Sequence, residues 1–186
     1  MTVGADRRRV FYSVTVAAVL LAISASAQQT VSPVGQIHIQ TLLADDVGTL
    51  SDKFVGLARA MAGKYDWRPS QGVRSVGEVF NLMVEENRSL VALLTGSGAP
   101  GGGGGGRGVQ VTDSAKMQEA LRTSFDAMKR AISTLSDSDL RATVKLFGRE
   151  TSKLDAILIY VLDDHEHLGQ SIAYARSNNV VPPWSK

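Results

Sequence analysis

The chain has no cysteine. That excludes a thiolate nucleophile, a Cys-bound zinc, an iron–sulfur cluster and a disulfide scaffold. It also has little excess of either charge, with 20 basic and 18 acidic residues. Three arginines and one aspartate fall in the first 27 residues, so the remainder carries 17 of each sign, alternating along the chain. Nucleic acid or an anionic membrane would call for a concentrated basic patch, and none is visible. No G-x-S-x-G elbow is present. Six glycines, Gly101 to Gly106, lead into Arg107-Gly108 and not into the Lys-Ser/Thr pair of a phosphate-binding loop, so they read as a flexible linker. With 44% hydrophobic and 20% charged residues, the 186-residue chain is neither collagenous nor wholly disordered, and it suits one domain.

Residues 1–27 read as an export signal. Arg7, Arg8 and Arg9 form a positive start, an apolar stretch runs from Val14 to Ile23, and Ala25-Ser26-Ala27 supplies the small-residue cleavage pattern. The apolar stretch falls short of the ~20 residues that span a bilayer. Cleavage before Gln28 is expected, with an uncleaved anchor as the alternative. Arg8-Arg9-Val10-Phe11 also resembles a twin-arginine signal. The mature protein is thus expected in the periplasm or outside the cell, with no membrane or nucleic-acid partner. Residues 28–35 form a tether.

The rest reads as helical. In the first segment, about 35–62, Ile39, Leu43, Val47, Leu50, Phe54, Leu57 and Met61 recur every three or four residues, and Gly63 ends it. Pro69 and Gly72 then break the helix. Ser75-Val76-Gly77-Glu78 is a capping box opening a second helix to about Leu94, with Val76, Phe80, Met83, Leu90 and Leu94 on one stripe and Asn87 facing the interior. Residues 96–112 form a long loop that suits a connection across a bundle. The third helix, about 113–134, carries Met117, Leu121, Phe125, Met128, Ile132 and Leu135, with Thr112 or Asp113 as its cap. A helical turn starts at Ser136, and the stretch through Val144, Phe147 and Gly148 is less regular. Ser152-Lys153-Leu154-Asp155 opens a fourth helix that reaches Ser177, where Asn178-Asn179 can take the left-handed position and Pro182-Pro183 block continuation. No strand-length alternation competes, so the expected fold is all-α, an antiparallel or crossover four-helix bundle.

Two blocks make the chain resemble the DinB/YfiT-like superfamily over residues 36–183. One is Tyr65-Asp66-Trp67-Arg68-Pro69 followed by Val73-Arg74-Ser75-Val76-Gly77-Glu78. The other is Asp163-Asp164-His165-Glu166-His167-Leu168-Gly169-Gln170 with Tyr174-Ala175-Arg176 and Val180-Val181-Pro182-Pro183. The resemblance implies a four-helix bundle with a divalent metal (zinc, nickel or iron) on three histidines. One would come from the second helix and two from an H-x-x-x-H on the fourth, with a position left open for water or a thiol. Here Leu82 and Asp163 stand at two of those positions and only His167 is retained. Asp163 can ligate; leucine cannot.

The expected reading is therefore an exported DinB-like protein with a degenerate metal site, non-catalytic, binding a small molecule or partner, or structural. The alternative is a divalent-metal-dependent hydrolase or thiol transferase using Asp163 and His167. Pairing as a homodimer through a helix face is a further expectation. Asp163 and His167 also read as a hydrogen-bonded pair four residues apart, or as a base pair lacking a nucleophile. His165 falls on the stripe of Leu158, Val161, Leu168 and Ile172 and reads as a hydrogen-bonded core histidine in preference to a ligand. Glu78, Glu85 and Glu86 flank Leu82 and could replace its lost donor, but Glu78 has its capping role and Glu85-Glu86 read as a solvated face. His38 reads as a surface or core-edge histidine, and Tyr65 and Trp67 as a lid over the bundle.

Overall fold

The structure, a computed structural model, describes residues 38–97 and 110–185. The leader, the tether and most of the glycine loop lie outside the described residues. Among the described residues the elements are α1 (Ile39–Ala60), α2 (Val76–Thr95), α3 (Ser114–Ser133), a short α4 (Asp137–Arg141), β1 (Thr143–Leu146), β2 (Arg149–Ser152) and α5 (Lys153–Ser177).

Local signals account for the helix ends. Ser75 accepts from the Glu78 N–H at 3.2 Å, while Glu78 Oε2 accepts from the Ser75 N–H at 2.7 Å, so two otherwise orphaned donors are satisfied where α2 starts. Asp113 accepts from the Lys116 N–H and starts α3, and Ser152 accepts from the Asp155 N–H and starts α5. Asn179, at φ 58°, takes the left-handed position after α5.

The hydrogen bonds between elements set the chain directions. Gln40, at the start of α1, donates to the Leu135 carbonyl beyond the end of α3. Lys153, opening α5, donates to Leu94 at the end of α2, while Tyr174, late in α5, donates to Arg74 just before α2. Asn81 and Asn87 of α2 bond Val111 and Ser124, which follow the same order along the chain. So α2 and α3 run the same way, and α1 and α5 run opposite to them.

The helical stripes form one core. Phe54 is fully buried, stacked on Phe125 at 5.5 Å and edge-on to Phe80 at 6.4 Å. Leu50, Leu57, Met83, Leu90, Met117 and Met128 are fully buried around it. Asn87 faces the interior as expected and donates to Ser124 at 3.2 Å. Tyr65 is buried, its hydroxyl donates to the Ala58 carbonyl at 2.8 Å, and its ring meets Phe80 edge-on at 5.7 Å.

Two details depart from the sequence reading. Residues 143–152 form an antiparallel hairpin in which Leu146 pairs with Arg149. Phe147 (φ 49°) and Gly148 (φ 81°) make its turn, the left-handed pair that matches strand twist. Four-residue strands are too short for alternation to reveal them. The core face of α5 runs Ile157, Val161, Asp164, Leu168, Ser171 and Ala175, so Asp164 occupies the interior position expected for His165. No helix among the described residues is long and apolar enough to cross a membrane.

A candidate metal centre between two antiparallel helices

His167 and Asp163 lie four residues apart on α5 and so share one face of it. Their side chains do not hydrogen-bond: His167 Nε2 and Asp163 Oδ2 are 3.7 Å apart. The other ring nitrogen, Nδ1, is 2.8 Å from Gln170 Oε1. The histidine side chain is 17% exposed and the aspartate 41%, so the pair sits at the edge of the bundle with the carboxylate on the open side.

The third member comes from α2. A carboxylate oxygen of Glu86, an oxygen of Asp163 and a ring nitrogen of His167 all lie within 4.8 Å of one another. Glu86 was expected on a solvated face; it is partly buried instead, and its Oε2 is buried without a hydrogen-bond partner. The reason is its register. Glu86 lies three residues after Met83 and four before Leu90, both fully buried, so a helix puts it on their side. That spacing was the available signal. Glu85, by contrast, is exposed and bonds Arg88 at 3.1 Å. Glu78 keeps its capping role and lies 3.4 Å from Arg68. Leu82 is half-buried against the core one turn before Glu86.

The surroundings are electrostatically one-sided. Burial first, then the neighbouring Asp163 carboxylate, push the Glu86 carboxyl up to about 8, and Arg74 opposes. Asp164 is 1% exposed, its Oδ2 has no partner, and burial first, then the charges of Glu86, Asp163 and Asp46, pushes it up to about 8. The half-buried Tyr160 phenol is also raised, by burial and then by Glu86 and Asp163.

The remaining residues singled out in the sequence lie elsewhere. His165 is not a core histidine: its side chain is 43% exposed and its Nε2 lies 2.8 Å from Asp46 Oδ2 on α1. It directly follows Asp164, and that ~100° step around the helix turns it outward. His38 is exposed and caps α1 without a side-chain hydrogen bond. Trp67 is half-buried with its ring edge-on to Tyr174 at 5.4 Å, which fits the lid reading.

One imidazole and two carboxylates at this spacing suit a single divalent ion. Donors bound at ~2.0–2.2 Å from one ion sit on the order of 3–4 Å apart. The unpartnered Glu86 oxygen fits as well, since a buried carboxylate oxygen wants a cation or a proton.

Long helices carrying a three-donor cluster thus define, among the described residues, a mostly helical protein with a candidate metal centre. No family model and no curated protein matches the chain. Solved structures do. A DinB-like protein of Bacillus subtilis, YjoA, superposes with a TM-score of 0.62 at 11% identity, covering 78% of this chain and 97% of its own. A DinB-like protein of Bacillus cereus superposes with a TM-score of 0.60 at 16% identity, covering 78% of this chain and 93% of its own. The helical fold of this chain is thus similar to that of these two DinB-like proteins.

Proposed function

We propose that this protein is an exported, metal-dependent DinB-like protein in which Glu86, Asp163 and His167 hold one divalent ion for hydrolytic or thiol-transfer chemistry. The observation that carries the reading is the Glu86 carboxylate, partly buried and facing Asp163 and His167 with one oxygen unpartnered. With Leu82 at one of the three positions, only Asp163 and His167 remained as donors, which favoured a non-catalytic role; a third donor favours the metal-dependent alternative.

The donor set selects the ion class. Imidazole nitrogen with carboxylate oxygens suits zinc, nickel or ferrous iron, and no thiolate is available in this chain. A bound ion there supplies Lewis acidity toward a substrate oxygen or sulfur. The protein's own groups do the rest. Glu86 would have to be deprotonated to hold an ion, so binding there would strengthen as pH rises toward 8. Asp163, on the exposed side, leaves the approach open to substrate. A thiol, where one reacts, must come from the substrate pair, because the chain has none.

Metal content tests the reading. Protein dialysed against excess Zn2+ and then metal-free buffer is expected to retain one equivalent. Glu86→Gln and His167→Ala should each lose most of it without a change in helical content. Well under one equivalent in the wild type would return the protein to a non-metal binding role. Export is tested separately: mature protein from the producing cells should begin at Gln28.

A further inference from the structure

A histidine can offer Nε2 to an ion only when its ring proton sits on Nδ1. The hydrogen bonds behind His167 decide where that proton sits, and they can be read from their far end. The Arg74 carbonyl can only accept. The Tyr174 hydroxyl, 3.2 Å away, therefore gives its proton to Arg74. Its lone pair is left to take an N–H from Gln170 Nε2 at 2.9 Å. With its amide nitrogen so engaged, Gln170 turns its carbonyl oxygen, an acceptor only, toward His167 Nδ1 at 2.8 Å. Each link has one polarity, and the last one demands Nδ1–H.

We propose that Gln170 and Tyr174 are positioning residues that hold His167 in its Nδ1–H tautomer, leaving a free lone pair on Nε2, the ring nitrogen 3.7 Å from Asp163 Oδ2. The relay ends on the main chain just before α2, the helix that carries Glu86. Both halves of the centre are thus tied to one point: α5 through the side-chain chain of bonds, α2 through its own start. Trp67, edge-on to Tyr174, packs the ring in place, and its carbonyl accepts from the Val76 N–H at 3.0 Å. The stretch between α1 and α2 is therefore part of the metal centre's support.

The purpose assigned to the relay rests on the metal reading above; the tautomer does not, so the two can fail separately. The chain has three histidines, which makes their ring nitrogens resolvable by 15N NMR on the metal-free full chain at a pH where imidazole is neutral. His167 should show a protonated Nδ1 and a bare Nε2. Gln170→Leu should move the proton to Nε2, Gln170→Glu should keep it on Nδ1, and Tyr174→Phe, which frees the amide to turn over, should give a mixture. Circular dichroism confirms that each variant is folded. In parallel, competition titration with Zn2+ should show a loss of about 10–100-fold for Gln170→Leu and recovery in Gln170→Glu. A wild-type His167 protonated on Nε2, or a Gln170→Leu variant that keeps Nδ1–H, overturns the proposal. Zinc that fails to bind the wild type while the tautomers behave as stated removes the metal reading and leaves the relay standing. Zinc that binds wild type and Gln170→Leu equally removes the relay's role and leaves the metal centre.

Discussion

Asp164 makes the metal-free protein less stable in mild alkali than in mild acid, and Asp164→Asn should remove much of that dependence. The residue is 1% exposed in the core face of α5, with one carboxyl oxygen unpartnered. Burial, then the neighbouring acids, raise it from 3.8 to about 8. Between those values the unfolded chain has released this proton and the folded chain has not. The unfolded state therefore binds fewer protons, and stability falls as pH rises through that interval, levelling off above about 8. At ~1.4 kcal/mol per pH unit the whole span is worth at most roughly 6 kcal/mol. Water reaching an ionised core relieves part of the penalty, so about 2–3 kcal/mol is expected from Asp164, and Glu86, raised over much of the same range, adds a loss of the same sign. The assay is urea unfolding at pH 5 and pH 9 in the presence of a chelator, which keeps the metal centre out of the comparison. Wild type should lose at least that much on going to pH 9, while Asp164→Asn should lose distinctly less and be the more stable protein at pH 9. An unchanged pH dependence in the variant would show that the carboxyl is already ionised or solvated, and the reasoning from burial would be wrong.

Three further outcomes follow from the packing and the site. Phe54→Ala removes the ring between Phe80 and Phe125 and should cost about 3–5 kcal/mol, lowering the thermal midpoint by roughly 10 °C. Gly77→Ala should destabilise despite its helical position: the new Cβ would lie 3.0 Å from Tyr65 Cβ and 3.2 Å from its carbonyl oxygen. Overpacking of ~1–3 kcal/mol outweighs the ~1 kcal/mol gain in helix propensity, and an equally stable variant in urea would show that Tyr65 yields freely. Leu82→His adds a donor one turn from Glu86 and should tighten Zn2+ binding by about tenfold or more, ~1.4 kcal/mol; unchanged affinity would mean that the face of α2 is misassigned.

Much of this protein was legible in the chain because helices repeat with a fixed period. The stripes of α1, α2 and α3, the caps at Ser75, Asp113 and Ser152 and the inward Asn87 all follow from spacing and local hydrogen-bonding chemistry. The hairpin was not legible, since four-residue strands hold too few residues to show alternation. The α5 stripe was shifted by a residue at its centre, because Asp163, Asp164, His165 and Glu166 are all polar and hydropathy does not say which of them turns inward.

By itself, the sequence determined which segments become helices, where they stop, and that His167 and Asp163 share one face of the last of them. Those are properties of a single segment and its near neighbours. Only the tertiary structure decided that Glu86, 77 positions before Asp163 and on another helix, completes the cluster, and that Arg74, Tyr174 and Gln170 orient the histidine. A metal centre needs donors gathered at one point in space. Which residues of two helices meet there depends on how the helices are rotated and aligned against each other, and that is set by the packing of the whole core.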